Sequence, residues 1–295
     1  MNTERIPLST GVTLNVATAG PEDAPPVYLL HGFPESHRTW RAIAPLLDDD
    51  FRLVMPDQRG FAGSDKPADI QAYRTNKAIA DLLALAEHMG HDTFALVGHD
   101  WGGAVAWAAG VRGGPHIQKL VAINSPHPIV FQRTIIDDPD QRAASQYMRR
   151  FRETGMEEQI RDMGFETFFE KSFTPHVDLA DISDEERQTY IDQWSEKGAL
   201  EGMLAWYRAS PILVPETEED GVAYPDWLMA GVPKVRIPTL VVWGMQDAAL
   251  RPCQLDGLDA LVDDLTVERI EDAGHFVPWQ KPEPVAAAMR SFLKA

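Results

Sequence analysis

The sequence predicts an α/β fold: a mostly parallel sheet with helices on both faces and a helical region inserted before its last strands. Three observations predict it. Short β-branched and aliphatic runs recur along the chain, most of them too continuously apolar to be half-exposed. Segments with apolar residues at helical spacing alternate with these runs. Between Ile123 and Thr239 the strand pattern then stops for about a hundred residues, far more than an ordinary connection.

Strands are expected over 12–17, 27–30, 51–55, 94–97, 119–123, 239–243 and 265–270, with those from Val27 onward covered on both faces. The helix expected over 75–89 places Ile79, Leu82, Leu83 and Ala86 on one side, and Gly90 stands where a C-terminal cap would. The strand at 94–97 follows directly. After it, the small-residue stretch 102–111 reads as a helix whose alanines and glycines permit close packing on the sheet. The inserted region reads as helices over 141–155, 156–173, 184–194 and 199–209, separated by joints rich in Gly, Pro and Asp. The expected division is a core of residues 1–128 and 236–295 and a helical cap of residues 129–235.

Composition narrows the function. The chain has 295 residues, 44% hydrophobic and 24% charged, with 21 Gly and 22 Pro, which excludes disordered and collagenous classes. No run approaches the roughly 20 apolar residues of a spanning helix, and residues 1–11 lack the basic start and apolar stretch of a signal peptide, so a cytoplasmic location is expected. The single Cys253 has no second thiol for a disulfide or a structural zinc, and the fold must rest on its core. A net charge of -18, carried mainly by the inserted region, repels phosphate backbones and anionic lipids. Neither nucleic acid nor membrane is expected as a partner, and the assembly is expected to be a monomer or homodimer.

The chemistry centres on Leu96-Val97-Gly98-His99-Asp100-Trp101-Gly102-Gly103, a strand, a G-x-D-x-G turn and a small-residue helix. This is a nucleophile elbow with Asp in place of Ser. Its tip projects above the strand ends at a helix N-terminus, which favours a carboxylate. On the motif alone, Asp100 also reads as a plain helix N-cap. Other segments favour chemistry. His31-Gly32-Phe33-Pro34 follows a strand, so the N–H of Phe33 can face the elbow and, with that of Trp101, form an oxyanion hole. Asp247 and His275 each lie just past a later strand. Asp100, Asp247 and His275 thus occur in the order nucleophile, acid, base, at strand ends where sites of such sheets form.

Over residues 5–293 the chain resembles an epoxide hydrolase of the soluble type, with the α/β-hydrolase fold. The residues carrying the resemblance are His31-Gly32-Phe33-Pro34-Glu35-Ser36, Asp57-Gln58-Arg59-Gly60-Phe61-Ala62-Gly63-Ser64, Gly98-His99-Asp100-Trp101-Gly102-Gly103, Gly244-Met245-Gln246-Asp247 and Gly274-His275-Phe276. Haloalkane and haloacetate dehalogenases also use Asp, and the two chemistries differ in the leaving group. An epoxide oxygen departs as an alkoxide and needs an acid, which two cap tyrosines supply in the family; a halide needs only N–H donors. Tyr147, in Gln146-Tyr147-Met148-Arg149-Arg150-Phe151, and Tyr207, in Trp206-Tyr207-Arg208, resemble those tyrosines, although composition alone also allows cap packing. Phe33 stands where many haloalkane dehalogenases have Asn, and Trp101 and Ala104 stand where haloacetate dehalogenases carry Arg. The Trp101 indole still offers a halide donor, so dehalogenation remains the alternative. A non-catalytic ligand-binding scaffold is the remote one.

The resemblance implies that Asp100 attacks an epoxide carbon while Tyr147 and Tyr207 hold the ring oxygen. His275, supported by Asp247, then activates a water, with Phe33 and Trp101 as the oxyanion hole. Glu35 resembles a position that orients the water, and an exposed loop acid is its plainer reading. Phe33, Trp40, Trp101, Trp206, Phe276 and Trp279 are expected to form an apolar wall for a small hydrophobic epoxide. His31 and His99 read as hydrogen-bonded turn residues, Asp57, Arg59 and Gly60 as structural, and Asn124, being uncharged, leaves the acid's role to Asp247. Ser125-Pro126-His127-Pro128 opens the insertion and also reads as pocket lining. No metal or cofactor is expected, since no histidine pair has ligand spacing.

Overall fold

The computed structural model describes residues 2–112, 114–216, 223–231 and 233–295. Eight strands form one sheet: β1 (Asn2–Pro7), β2 (Thr13–Ala19), β3 (Pro26–Leu30), β4 (Arg52–Pro56), β5 (Phe94–His99), β6 (Ile117–Ile123), β7 (Thr239–Gly244) and β8 (Leu265–Ile270). Their order is β1-β2-β4-β3-β5-β6-β7-β8. β2 pairs antiparallel with β1 and β4, and the remaining pairings are parallel. The first strand was not legible in the sequence: Asn2, Thr3, Glu4 and Arg5 are all exposed, and only Ile6 is buried.

Alternation along the central strands builds two cores. Val27, Leu29, Val97, Val121 and Ile123 point to one face, where they meet α1 (Ala44–Leu47), α12 (Val277–Gln280) and α13 (Pro282–Lys294). Tyr28, Leu30, Leu96, Leu120 and Ala122 point to the other, against α2 (Thr75–His88) and α3 (Trp101–Arg112). Both faces are dry, which is why these runs lack polar alternation. β8 departs from that expectation, with Thr266, Glu268 and Arg269 exposed; as an edge strand it has a neighbour on one side only. On α2 the buried stripe takes in Leu85, whereas Leu83 is exposed.

Between β6 and β7 come α4 (Pro128–Asp137), α5 (Pro139–Ala144), α6 (Gln146–Arg152), α7 (Met156–Met163), α8 (Phe165–Phe173), α9 (Asp184–Ser195), α10 (Ala199–Ala209) and α11 (Asp226–Met229). Residues 217–222 and 232 of the expected cap lie outside the described residues. The helix expected over 141–155 is broken at Ser145, and that over 156–173 at Gly164, whose φ of 84° lies in the left-handed region. Arg38 bridges to Glu186, Lys66 to Glu196, and the Trp194 indole donates to the Pro34 carbonyl at 2.8 Å, fixing these helices over the strand ends.

The chain passes from β3 to β4 on one side and returns to β5 on the other. This topological switch opens a crevice at the carboxyl ends of β3 and β5, under the inserted helices. No described helix is long and apolar enough to cross a membrane.

Candidate active site

Asp100 sits at the tip of the turn from β5 into α3 with φ of 50°, a strained left-handed conformation for a residue with a side chain. The turn is possible because its neighbours are glycines. A Cβ on Gly102 would fall 2.0 Å from the Leu30 carbonyl oxygen, and one on Gly32 would fall 2.3 Å from the Asp100 Cβ. The Ser125 hydroxyl donates to the Asp100 carbonyl at 2.7 Å and holds the turn from the end of β6.

The Phe33 N–H donates to Asp100 Oδ1 at 2.8 Å, and the Trp101 N–H also reaches this carboxylate. Both expected oxyanion-hole donors therefore reach this carboxylate. Asp100 Oδ2 lies 3.8 Å from His275 Nε2, and His275 Nδ1 lies 2.7 Å from Asp247 Oδ2. Asp247 is fully committed. Oδ1 accepts the N–H groups of Ala249 and Leu250, each at 2.9 Å, and Oδ2 also accepts Asn124 Nδ2 at 2.8 Å. Asn124 in turn accepts the Gly244 N–H at 2.8 Å.

The electrostatics follow from burial against this hydrogen bonding. Burial raises the Asp100 pKa against the lowering pull of His275 and the two N–H donors. Burial also opposes the charge on His275, but the neighbouring Asp247 charge and hydrogen bond, with Asp100 and Glu35, outweigh it and push the imidazole up to about 9. For Asp247 burial favours protonation, and His275 with the other donors holds it below the usual carboxylate range. His275 thus holds its proton at neutral pH, with Nε2 facing Asp100 Oδ2.

Tyr147 and Tyr207 hang from α6 and α10, their rings 6.0 Å apart and nearly perpendicular. Together with Asp100 they line a cavity of about 420 Å³ and a smaller apolar pocket of about 70 Å³ behind it. Burial, then the negative charges nearby, raise both phenols, so both keep their protons. The Trp101 side chain hydrogen-bonds Tyr207, and their rings meet edge to face at 5.1 Å. Phe33, Phe151, Phe168, Met156, Met163 and Phe276 form most of the apolar wall.

Several residues expected in that wall lie elsewhere. Trp206 is buried behind Trp101, its indole donating to the Arg59 carbonyl at 3.0 Å. Trp40 belongs to the core on the opposite face of the sheet, and Trp279 stacks on Phe276 from behind. Glu35 is neither an exposed acid nor a lining group. It is 2% exposed, and its Oε1 accepts the Tyr190 hydroxyl at 2.8 Å and the Trp279 indole at 3.1 Å. The Thr39 side chain also hydrogen-bonds this carboxylate, whose Oε2 lies 3.8 Å from His99 Nδ1, and the His99 ring stands 4.9 Å from that of His275. Burial raises the Glu35 pKa and lowers that of His99 to about 3.

His31 is a turn histidine, its Nδ1 on the Gly32 carbonyl and its Nε2 accepting the Gln58 N–H. Among the described residues no group of three His, Cys, Asp or Glu is placed to hold a metal ion. The lining residues Phe168, Lys171 and His176 were missed. An apolar stripe at helical spacing marks Phe168 as buried, but nothing local says against what.

The fold has close counterparts. The signature of the α/β hydrolase fold family matches residues 25–282. A solved structure described among novel epoxide hydrolases in metagenomes from hot environments is 41% identical, with a TM-score of 0.90 over 99% of this chain and 98% of that one. The AB hydrolase superfamily protein YfhM of Bacillus subtilis is 32% identical over 97% of this chain and 96% of its own length. Epoxide hydrolase 3 of Xenopus tropicalis is 30% identical over 97% of this chain and 76% of that protein. The chain belongs to the α/β-hydrolase fold family, among its epoxide hydrolases.

Proposed function

We propose that this enzyme adds water to a small hydrophobic epoxide, giving a vicinal diol through an ester on Asp100. The observation that carries the reading is one cavity with a carboxylate nucleophile on its floor and two protonated phenols beside it. Asp100 Oδ1 accepts the Phe33 N–H, which leaves Oδ2 to attack an epoxide carbon. The carbon–oxygen bond of the ring breaks as the new ester bond forms, and the ring oxygen takes a proton from Tyr147 or Tyr207.

Esterification removes the Asp100 charge that helps hold the proton on His275. The imidazolium then gives its proton to the phenolate and becomes a base. It takes a proton from water, whose oxygen attacks the Asp100 carboxyl carbon, and the Phe33 and Trp101 N–H groups receive the oxyanion. Collapse releases the diol and restores carboxylate and imidazolium. Glu35 acts from behind the His275 ring, its charge favouring the imidazolium, and not from the cavity wall. The phenylalanines and methionines of the wall suit an apolar substituent on the epoxide.

The test is diol release from styrene oxide and trans-stilbene oxide beside halide release from 1-bromobutane and chloroacetate, with Asp100→Ala as control. Diol formation abolished by Asp100→Ala is the expected result. Halide release without diol would replace the reading with a dehalogenase, and ligand binding without turnover would replace it with a receptor.

A further inference from the structure

Arg152 is a half-buried charge that this mechanism has not used. It ends α6, five residues after Tyr147, and its Nε donates to the Tyr207 carbonyl on α10 at 2.9 Å. It therefore ties the two tyrosine-bearing helices together. Its Nη2 is buried without a hydrogen-bond partner. The other arginines of these helices that face acids are matched: Arg149 pairs with Glu216 and Arg208 with Glu157. No carboxylate pairs with Arg152 among the described residues, although burying a guanidinium N–H group without a partner is costly.

The charges around the phenols act in two senses. Asp100 and Asp247 oppose loss of a proton from Tyr147, and Asp100 does so for Tyr207. Arg152 acts in the opposite sense on both, with Arg149 as the neighbouring cation on its own helix.

Resting on the epoxide reading, we propose that Arg152 is the positioning and charge-balancing residue of ring opening: it sets the spacing of the tyrosine helices and compensates the phenolate left behind. In that step the Asp100–carbon bond forms, the ring carbon–oxygen bond breaks and a phenol proton moves to the ring oxygen. The negative charge that begins on Asp100 ends on a tyrosine, and a guanidinium already in place needs no solvent rearrangement to meet it.

The test separates the two half-reactions by single-turnover stopped-flow with trans-stilbene oxide, using intrinsic tryptophan fluorescence for ester formation and diol release for hydrolysis. Arg152→Gln is expected to slow ester formation by about tenfold or more, the equivalent of one pKa unit on the donor phenol, and to leave hydrolysis unchanged. Arg152→Lys, which restores charge without the fork, recovers part of that loss and keeps the test informative if the glutamine variant folds poorly. The phenolate absorbance transient is expected to shrink in Arg152→Gln and return in Arg152→Lys. Ester formation at the normal rate in Arg152→Gln, or equal slowing of both steps with no recovery by Lys, overturns the assignment. A wild-type protein that opens no epoxide fails earlier, and overturns the functional reading along with it.

Discussion

Replacing Asp247 by Asn should stop the second half-reaction while sparing the first. The carboxylate accepts four donors, two on each oxygen: Ala249 and Leu250 N–H on Oδ1, Asn124 Nδ2 and His275 Nδ1 on Oδ2. An amide supplies one oxygen and one NH₂, so either orientation sets donors against two donors. The relief available is a change of His275 tautomer, moving its hydrogen from Nδ1 to Nε2, the atom that must take a proton from water. The lost charge adds to this. Without it the imidazole falls from about 9 toward or below its ordinary 6.5, about 3 kcal/mol of imidazolium stabilisation. The two effects together predict hydrolysis slower by about 10⁴-fold, the order expected when a supporting acid is made neutral and the tautomer inverts. Ester formation depends on Asp100 and the tyrosines and should stay within about tenfold of normal. Intact-protein mass spectrometry after mixing with epoxide should show the chain plus one epoxide mass, persisting in Asp247→Asn and transient in the wild type. Multiple turnovers at a rate within tenfold of wild type would refute the role of Asp247.

The tyrosines act on the other half-reaction. Tyr147→Phe or Tyr207→Phe should each lower the ester-formation rate by roughly 10²-fold and the double variant by 10³-fold or more, read by rapid-quench product analysis. Equal rates in all three would remove the phenols from the mechanism. The raised pKa of His275 also makes stability pH-dependent. Its protonated form contributes stability that is fully present below the unfolded value near 6.5 and is lost as pH rises through about 9. Thermal midpoints should therefore fall between these pH values in the wild type and fall less in His275→Gln; parallel curves would contradict the charged resting state.

What the sequence made legible followed the range of the interactions. The elbow, the turn after β3 and the loops after β7 and β8 are set by adjacent residues, so Asp100, Phe33, Asp247 and His275 could be located without knowing what lay opposite. Glu35 and the tryptophans could not be placed this way. Whether Trp40 packs under the sheet or Trp206 behind Trp101 depends on partners more than a hundred residues away or across the sheet. Glu35 next to the HGFP turn looks solvent-facing until α9 brings Tyr190 over it. The inserted helices kept their apolar period, but two of them break, at Ser145 and at Gly164 with its left-handed backbone. β1 is an exposed edge and carried almost no apolar signal.

The central claim is a covalent bond from Asp100 to substrate, and a single turnover in water enriched in oxygen-18 tests it most directly. With enzyme in excess over epoxide, the nucleophilic oxygen leaves in the diol and the water oxygen stays on the protein. The account predicts one heavy oxygen in the peptide carrying Asp100 and none in the first diol. Heavy oxygen in that first diol, with Asp100 unlabelled, would mean that water attacks the epoxide directly and would contradict it.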